Sequence, residues 1–250
     1  MPFGAMRHGF TFQPAAGGGI PTRTPKTLTN TGITFSASEK QFGSYGAYFD
    51  GADKASIPNN SDFDFGTGPY TIEFWFSTSD TVSEIVNQQQ YGDNIGWAVG
   101  GRSSQRMLFA AGSNSEISVL VPSTGGWTDS TWAHVAVCKA SGGGVAIFAN
   151  GTRKYYSAGW NVDIVTATDN FFIGTGYGVS SGLFQDPGDG GGRGGYFYTG
   201  YMDELRISNV DRYGVTNATI TVPTAAFDND DNTKLLLHFE NNLTDDGGPQ

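Results

Sequence analysis

The chain has little that would crosslink it or anchor it in a membrane. Cys138 is the only cysteine among 250 residues, so no internal disulfide can form and a disulfide-framework fold is excluded. No apolar run approaches the ~20 residues that a membrane helix needs. The first residues, Met1–His8, lack the apolar core of a signal peptide. We therefore expect no membrane insertion and no signal peptide.

Positive charge is also scarce. The 14 Lys and Arg are outnumbered by 24 Asp and Glu, which gives a net charge of −10. Phosphate binding depends on Lys and Arg, so this balance argues against nucleic acid as a partner. Charged residues make up only 15% of the chain, whereas aromatics reach 14% and glycines number 37. Such a composition is typical of many short strands joined by tight turns, and not of disorder.

Residues 1–28 differ in composition from the rest. They contain Pro14, Pro21 and Pro25 and a run of three glycines, and no acidic residue occurs before Glu39. Proline fixes φ and glycine frees the backbone, so we expect an extended N-terminal arm ahead of a domain at 29–250. Two interpretations stay open, a floppy tail and an arm that reaches over a neighbouring subunit. The residues expected to contact a partner are Phe3, Arg7, Phe10, Phe12 and Arg23.

The clearest strand in the sequence is Tyr70–Phe76. Its alternating faces are Ile72, Phe74 and Phe76 on one side and Thr71, Glu73 and Trp75 on the other. Since side chains alternate across a pleated strand, this pattern predicts one apolar face and one mixed, half-covered face. Cys138 follows a similar apolar run, and we expect it to be a buried small residue instead of a reactive thiol.

Short strands recur at intervals of about 10 to 12 residues, a spacing typical of a β-sandwich or barrel. Asn150-Gly151 is the strongest turn signal, since both residues tolerate positive φ. No amphipathic helix pattern and no internal repeat is visible. The other predicted strands are Thr27–Thr29, Ile33–Phe35, Gly46–Phe49, Ala55–Ile57, Glu84–Asn87, Gly96–Val99, Met107–Ala110, Ile117–Val121, Trp132–Val137, Val145–Ala149, Phe171–Gly174, Thr199–Ile207 and Leu235–Phe239.

Several segments, taken together and in order, resemble the laminin G-like domain of the concanavalin A-like lectin and glucanase superfamily. They are Tyr48–Gly51, Phe63–Gly66, Tyr70–Trp75, Trp132–Val137, Phe148–Gly151, Phe172–Gly174 and Gly200–Ser208. The resemblance covers residues from about 27 to 240. It implies an all-β jelly roll of two antiparallel sheets, with ligands and metals at the loop rim or on the concave face. The closing Phe227 and Leu235–Phe239 resemble a variant found in bacteriophage structural proteins.

The residues for catalysis are missing from this sequence. A glycosidase needs two carboxylates about 5 to 9 Å apart, and glucanases of this fold carry them two or four residues apart on one strand. Asp203 and Glu204 are adjacent, which predicts that they lie on opposite faces of their strand. His8 lies in the arm, and His134 and His238 lie in predicted strands. We therefore expect a protein that is not an enzyme, with a structural hydrogen bond at His134.

Calcium is the cofactor that the resemblance implies. Hard cations take carboxylate and carbonyl oxygens, which acidic turns supply. Members of the family often hold a structural calcium near the motifs that contain Asp50 and Asp203, so these two are the candidate ligands. Further acidic groups, at Asp186 and Asp189 and around Asp230, are more typical of solvated turns.

A sugar site would need an exposed aromatic ring on which a sugar can stack. The aromatics in predicted loops are Tyr91, Trp160 and Tyr177, and they are the candidates for carbohydrate binding. The alternative interpretation is that each of these residues belongs to the hydrophobic core, where most aromatic residues of the chain must lie.

These observations give two functional hypotheses. In the first, the chain is a non-catalytic virion structural protein of a phage, either capsid decoration or a tail-associated host-contact module. The arm would anchor it to other virion proteins or to copies of itself on the particle exterior, where it could meet host glycans. In the second, it is a free-standing carbohydrate-binding lectin module.

Overall fold

The computed structural model describes residues 24–80, 82–89, 95–102, 104–113, 117–120, 122–123, 125–160, 162–164, 167–175 and 197–247. They form fifteen strands and one 3₁₀ turn, Ser61–Phe63. The strands are β1 (Thr29–Thr31), β2 (Thr34–Ser36), β3 (Gly46–Asp50), β4 (Lys54–Ile57), β5 (Tyr70–Ser77), β6 (Ser83–Gln89), β7 (Ile95–Arg102), β8 (Arg106–Ser113), β9 (Ile117–Leu120), β10 (Ala133–Lys139), β11 (Val145–Ala149), β12 (Thr152–Ser157), β13 (Phe171–Ile173), β14 (Thr199–Ser208) and β15 (Thr233–Leu237).

The strands form two antiparallel sheets. One has seven strands in the order β1-β4-β13-β6-β7-β8-β9. The other has eight, in the order β12-β11-β10-β5-β14-β3-β2, with β15 pairing beside β3 along the ten-residue β14. This arrangement confirms the predicted all-β jelly-roll sandwich. No helix in the described part of the chain has the length and apolar character needed to cross a membrane.

The core lies between the two sheets, and β5 is central to it. All eight residues of β5 are buried, and the strand pairs with β10 on one side and β14 on the other. Ile72, Phe74 and Phe76 point into the core, as the alternation predicts. Around Tyr70 the core is largely aromatic: its ring stacks on Phe65 at 4.6 Å between ring centroids. Cys138 is fully buried, as expected.

The other face of β5 differs from its prediction. Thr71 and Glu73 are fully buried and Trp75 is 6% exposed, so this face is not half-covered. The segments before β15 and before β3 pack over it: Phe227 lies in one cluster with Trp75 and Leu236 of β15, and the ring of Phe42 meets Trp75 edge-on at 5.7 Å. The middle of the eight-stranded sheet is therefore buried on both faces.

A buried network of polar groups lies on this covered face. The Glu73 carboxylate accepts hydrogen bonds from Arg206 Nε at 2.9 Å and from the Tyr213 hydroxyl at 2.6 Å. His134 Nε2 lies 3.4 Å from the same carboxylate, which agrees with the structural hydrogen bond expected for this histidine. Arg212 Nε is 3.9 Å away. Three neighbouring strands and the segment after β14 thus meet at one carboxylate.

The prediction that Asp203 and Glu204 lie on opposite faces of β14 is wrong. Glu204 has φ +53 and sits where the register with β5 shifts. A bulge of this kind inserts an extra residue and turns its side chain to the face of its neighbour. Asp203 Oδ2 accepts hydrogen bonds from the backbone of Gln41 and Phe42, while Glu204 binds His238 Nδ1 at 2.8 Å. Both carboxyl groups serve to hold covering segments.

The ordered domain includes a residue that the sequence places in the arm. Lys26 is 8% exposed, and its Nζ donates to Asp62 Oδ2 and to the Lys234 carbonyl, each at 2.6 Å. Its backbone N–H donates to Asp245 Oδ2 at 2.8 Å. These contacts tie the start of the domain to its C-terminal segment. Residues 1–23, and with them the five arm residues proposed for partner contact, lie outside the described residues.

We expect Glu73→Gln to lower the free energy of unfolding by about 3 to 5 kcal/mol, because it leaves the nearly buried guanidinium of Arg206 without its counter-charge. Urea unfolding at pH 7 measures the loss. The exposed Glu39 provides the control, since Glu39→Gln should cost no more than about 0.5 kcal/mol. Equal effects of the two changes would contradict the central role of Glu73.

The parent and the Glu73→Gln variant should respond differently to acid. Burial alone would raise the pKa of Glu73, but the hydrogen bond to His134 and the charge of Arg206 outweigh it and hold the pKa below the ordinary value of 4.5. A lowered pKa contributes stability above the unfolded-state pKa, and this is lost as pH falls through the folded-state value. The stability gap between parent and Glu73→Gln should therefore shrink below about pH 4.

Candidate functional site

Three polar side chains of β6 lie on the outward face of the seven-stranded sheet. The register pairs Glu84 with Gly100, Asn87 with Ala98 and Gln89 with Gly96. A register shift between Glu84 and Val86 brings Glu84 onto the same face as the other two. We call Glu84, Asn87 and Gln89 the polar row.

Small residues lie beside the polar row on the next two strands. Gly96, Ala98 and Gly100 of β7 pair in turn with Gly112, Ala110 and Leu108 of β8. Apart from Leu108 these residues carry at most a methyl group, and Ala98 and Ala110 are 0% exposed, so the face next to the polar row is covered and consists largely of sheet backbone. On the opposite side of the row, Phe172 of β13 pairs with Asn87, and Lys54 Nζ lies 5.8 Å from the centre of the Phe172 ring.

The polar row is buried and incompletely hydrogen-bonded. Glu84 and Asn87 are 0% exposed and Gln89 is 2% exposed. Gln89 Nε2 donates to Glu84 Oε2 at 2.6 Å, and Asn87 Nδ2 donates to the Thr175 carbonyl. Glu84 Oε1 and Asn87 Oδ1 have no hydrogen-bond partner among the described residues. An unpaired buried acceptor costs about 1–3 kcal/mol, and natural proteins keep few of them without a functional reason.

The carboxyl group of Glu84 is held in its protonated form near neutral pH. Burial raises its pKa from 4.5 to about 8, and the hydrogen bond from Gln89 offsets only part of this effect. A neutral carboxyl group can both donate and accept a hydrogen bond. The polar row therefore presents amide and acid groups without a net charge, which matches the hydroxyl groups of a sugar.

The structure moves one predicted carbohydrate-binding residue into the core. Trp160 follows β12 in a loop, as predicted, but it is 4% exposed, and its ring lies 5.9 Å from that of Phe109. The expectation of an exposed stacking ring is wrong here, since the hairpin turns this tryptophan inward against β8. The other two candidates, Tyr91 and Tyr177, lie outside the described residues.

The two predicted calcium ligands do not form one site. The register pairs Asp50 with Thr199, four residues before Asp203, and at ~3.4 Å per residue the two are about 14 Å apart along the strand direction. Asp203 Oδ2 already accepts two backbone hydrogen bonds, and burial raises the pKa of Asp203 to about 7. Asp50 Oδ1 accepts a hydrogen bond from Ala52. No group of three metal-binding side chains occurs among the described residues, and calcium at either carboxylate alone stays a prediction.

The fold and these motifs agree with a family match. A laminin G-type family model, described as the concanavalin A-like lectin/glucanases superfamily, matches residues 49–212. The chain belongs to this family. The match extends over both sheets and includes the polar row on β6. A search of curated proteins finds no match.

Solved structures with a similar fold include toxin binding domains. The binding domain of Paraclostridial Mosquitocidal Protein 1 is similar with a TM-score of 0.54 at 12% identity, over 74% of this chain and 44% of that one. The binding domain of botulinum neurotoxin serotype D/C has a TM-score of 0.52 with the same identity and coverage. The binding domain of serotype G has a TM-score of 0.51 at 12% identity, over 78% of this chain and 44% of that one. The chain thus spans less than half of each, and the likeness shows the fold alone.

The protonated state of Glu84 predicts a stability that depends on pH. Between about pH 4.5 and pH 8 the folded chain retains a proton that the unfolded chain has lost, so this residue makes stability fall as pH rises through that window. Glu84→Gln cannot titrate. We expect its melting temperature to exceed that of the parent by roughly 5–10 °C at pH 8 and by much less at pH 5. Thermal unfolding followed by circular dichroism at both pH values measures the difference, and a gap that does not change with pH would contradict the buried acid.

Proposed function

We propose that the chain is a non-catalytic binding module whose polar row recognises a carbohydrate. The observation that carries the proposal is that Glu84 Oε1 and Asn87 Oδ1 have no hydrogen-bond partner within the described part of the chain, in a row of neutral polar groups beside glycine and alanine positions of β7 and β8. Asn87 Oδ1 would accept a hydrogen bond from a sugar hydroxyl, and the protonated carboxyl of Glu84, whose Oε2 accepts from Gln89, would donate one from Oε1. Phe172 of β13 lies beside Asn87. The family and the binding domains of similar fold support a binding role.

Catalysis is not part of this proposal. The row has a single carboxyl group, Glu84, whereas the retaining and inverting hydrolysis of glycosides uses two. The neighbouring members of the row are amides, which position a substrate but do not transfer protons. A binding role uses every feature of the row, whereas a hydrolase would need a second acid.

Asn87→Leu should weaken glycan binding at least about tenfold, because it removes an amide that pairs with sugar hydroxyls and leaves apolar surface in its place. A glycan array identifies the ligand, and calorimetry measures the dissociation constant for each variant. Since the row is buried, association should also be slower than the ~10⁵–10⁷ M⁻¹s⁻¹ typical of preformed surfaces.

Gln88 provides the matched control for this experiment. It is the next residue on β6, carries a similar amide and is 1% exposed, but it faces the core and donates to Asn59 at 2.8 Å. Gln88→Leu should change affinity less than about twofold, although it alters the core. If Asn87→Leu and Gln88→Leu have similar stability and lose affinity to a similar extent, the assignment of the site to the outward face is wrong.

The second candidate function is a structural protein of a phage particle, either capsid decoration or a tail-associated host-contact module on its exterior. The observation that favours it is in the sequence: residues 1–23 contain Arg7 and Arg23, three phenylalanines and no acidic residue, ahead of an acidic domain. Attraction between such an arm and an acidic neighbouring subunit would link copies of the chain or other virion proteins.

Deletion of residues 1–23 tests the anchoring role. Because Lys26 and the strands after it hold the domain together without them, we expect the melting temperature to stay within about 2 °C of the parent. Co-sedimentation with particles that carry the protein should be lost. A triple change of Phe3, Phe10 and Phe12 to alanine separates aromatic contacts from charge. Unchanged sedimentation of the deletion variant would remove the arm from any anchoring role.

A further inference from the structure

The edge strand β12 carries a second cluster of binding groups, on the other sheet from the polar row. β12 pairs with β11 and is the last strand of the eight-stranded sheet. The register pairs Arg153 with Phe148 and Tyr156 with Ala146, so both point to the outer face, and a register shift leaves Lys154 as an extra residue between them. Three residues with polar or aromatic groups thus lie side by side along one edge.

The guanidinium of Arg153 is held in place by hydrogen bonds from only one of its three nitrogens. Its Nη1 donates to the carbonyls of Val215 at 3.2 Å and Thr216 at 2.7 Å, and its Cζ lies 4.8 Å from the centre of the Tyr156 ring. Nε and Nη2 make no hydrogen bond within the described part of the chain. A planar fork that is already oriented and still has two donors is suited to a carboxylate.

The charges around β12 leave this arginine and the adjacent lysine without acidic partners. No Asp or Glu occurs from Ser130 to Val162, nor from Arg212 to Phe227, the segment that lies against the start of β12. Neither Arg153 nor Lys154 forms a salt bridge among the described residues, although the chain has 24 acidic residues for 14 basic ones. The edge is therefore a cationic surface on an acidic protein, which favours an anionic partner.

The third member of the cluster identifies the kind of anion. Tyr156 is 38% exposed, and no other large apolar or aromatic side chain in the described ranges is as exposed. The guanidinium of Arg153 lies over the Tyr156 ring, and the exposed remainder of the ring is suited to the apolar face of a sugar whose acidic group pairs with the cation. A free phosphate or an acidic peptide would use the charges but has no need of the ring.

We propose that Arg153, Lys154 and Tyr156 bind a carboxylate-bearing saccharide, of the uronic or sialic acid kind. Basic residues and a bulge on an edge strand also prevent pairing with other sheets, but that role needs neither the fixed guanidinium nor the exposed ring. The proposal goes beyond the polar row, because it adds a second contact with opposite selectivity, for charged instead of neutral sugar units.

Binding of oligogalacturonate to the full chain tests the proposal, with its methyl ester as the uncharged probe. We expect the acid form to bind at least about tenfold more tightly, and a rise from about 50 to about 300 mM NaCl to weaken it. Arg153→Ala, Lys154→Ala and Tyr156→Ser should each weaken binding about fivefold or more, whereas Tyr156→Phe should stay within about twofold. Arg153→Lys keeps the charge, loses the planar fork and should resemble Arg153→Ala.

Lys40 is the control for loss of charge alone. It lies between β2 and β3, at the opposite edge of the sheet, and Lys40→Ala should leave the affinity unchanged. Equal binding of acid and ester, no effect of Arg153→Ala in a chain that melts like the parent, or an equal loss in Lys40→Ala would each overturn the proposal. Selectivity for the acid over the ester reports on β12 alone, whereas Asn87→Leu is tested on neutral glycans, so failure at the polar row and failure at β12 are distinguishable.

Discussion

The buried carboxylate of Glu73 is the constraint on which the outer layer of the molecule depends. An ionised carboxylate away from water is tolerated only when charges and hydrogen bonds surround it, and Arg206, His134 and Tyr213 supply them from two strands and a covering segment. Once this network forms, the segment after β14 must lie over the sheet. The middle of the eight-stranded sheet is thereby closed to ligands, and only its edges remain for binding.

This closure explains why the two proposed contacts lie where they do. On the seven-stranded sheet, polar side chains at Glu84 and Asn87 keep unpaired acceptors at a cost in stability. On the eight-stranded sheet, Arg153 and Tyr156 lie on β12, the last strand, separated by two strands from β5 and its Glu73 network. The two proposed contacts therefore lie away from the covered middle of the eight-stranded sheet.

The sequence was sufficient to predict the sandwich and most of its strands, because alternation and turn residues are local properties. It could not predict how deeply a face is buried, since this depends on segments distant in the chain. Thr71 and Glu73 predict that the second face of β5 is half-covered, yet Phe227 and Phe42 cover it. Trp160 lies in a loop, as predicted, but its exposure was mispredicted for the same reason, because the fold packs its ring against Phe109.

The errors that bear on function arise where a strand departs from the regular period of two. Glu204 adopts φ +53 in a bulge, and one inserted residue reverses the face of everything beyond it, so Asp203 and Glu204 share a side. The shift beside Glu84 builds the polar row in the same way, and another places Lys154 at the edge. β12 itself escaped prediction because its basic and aromatic residues do not alternate with apolar ones. The bulged strands β6 and β12 carry the groups whose hydrogen bonds or charges a ligand would pair with.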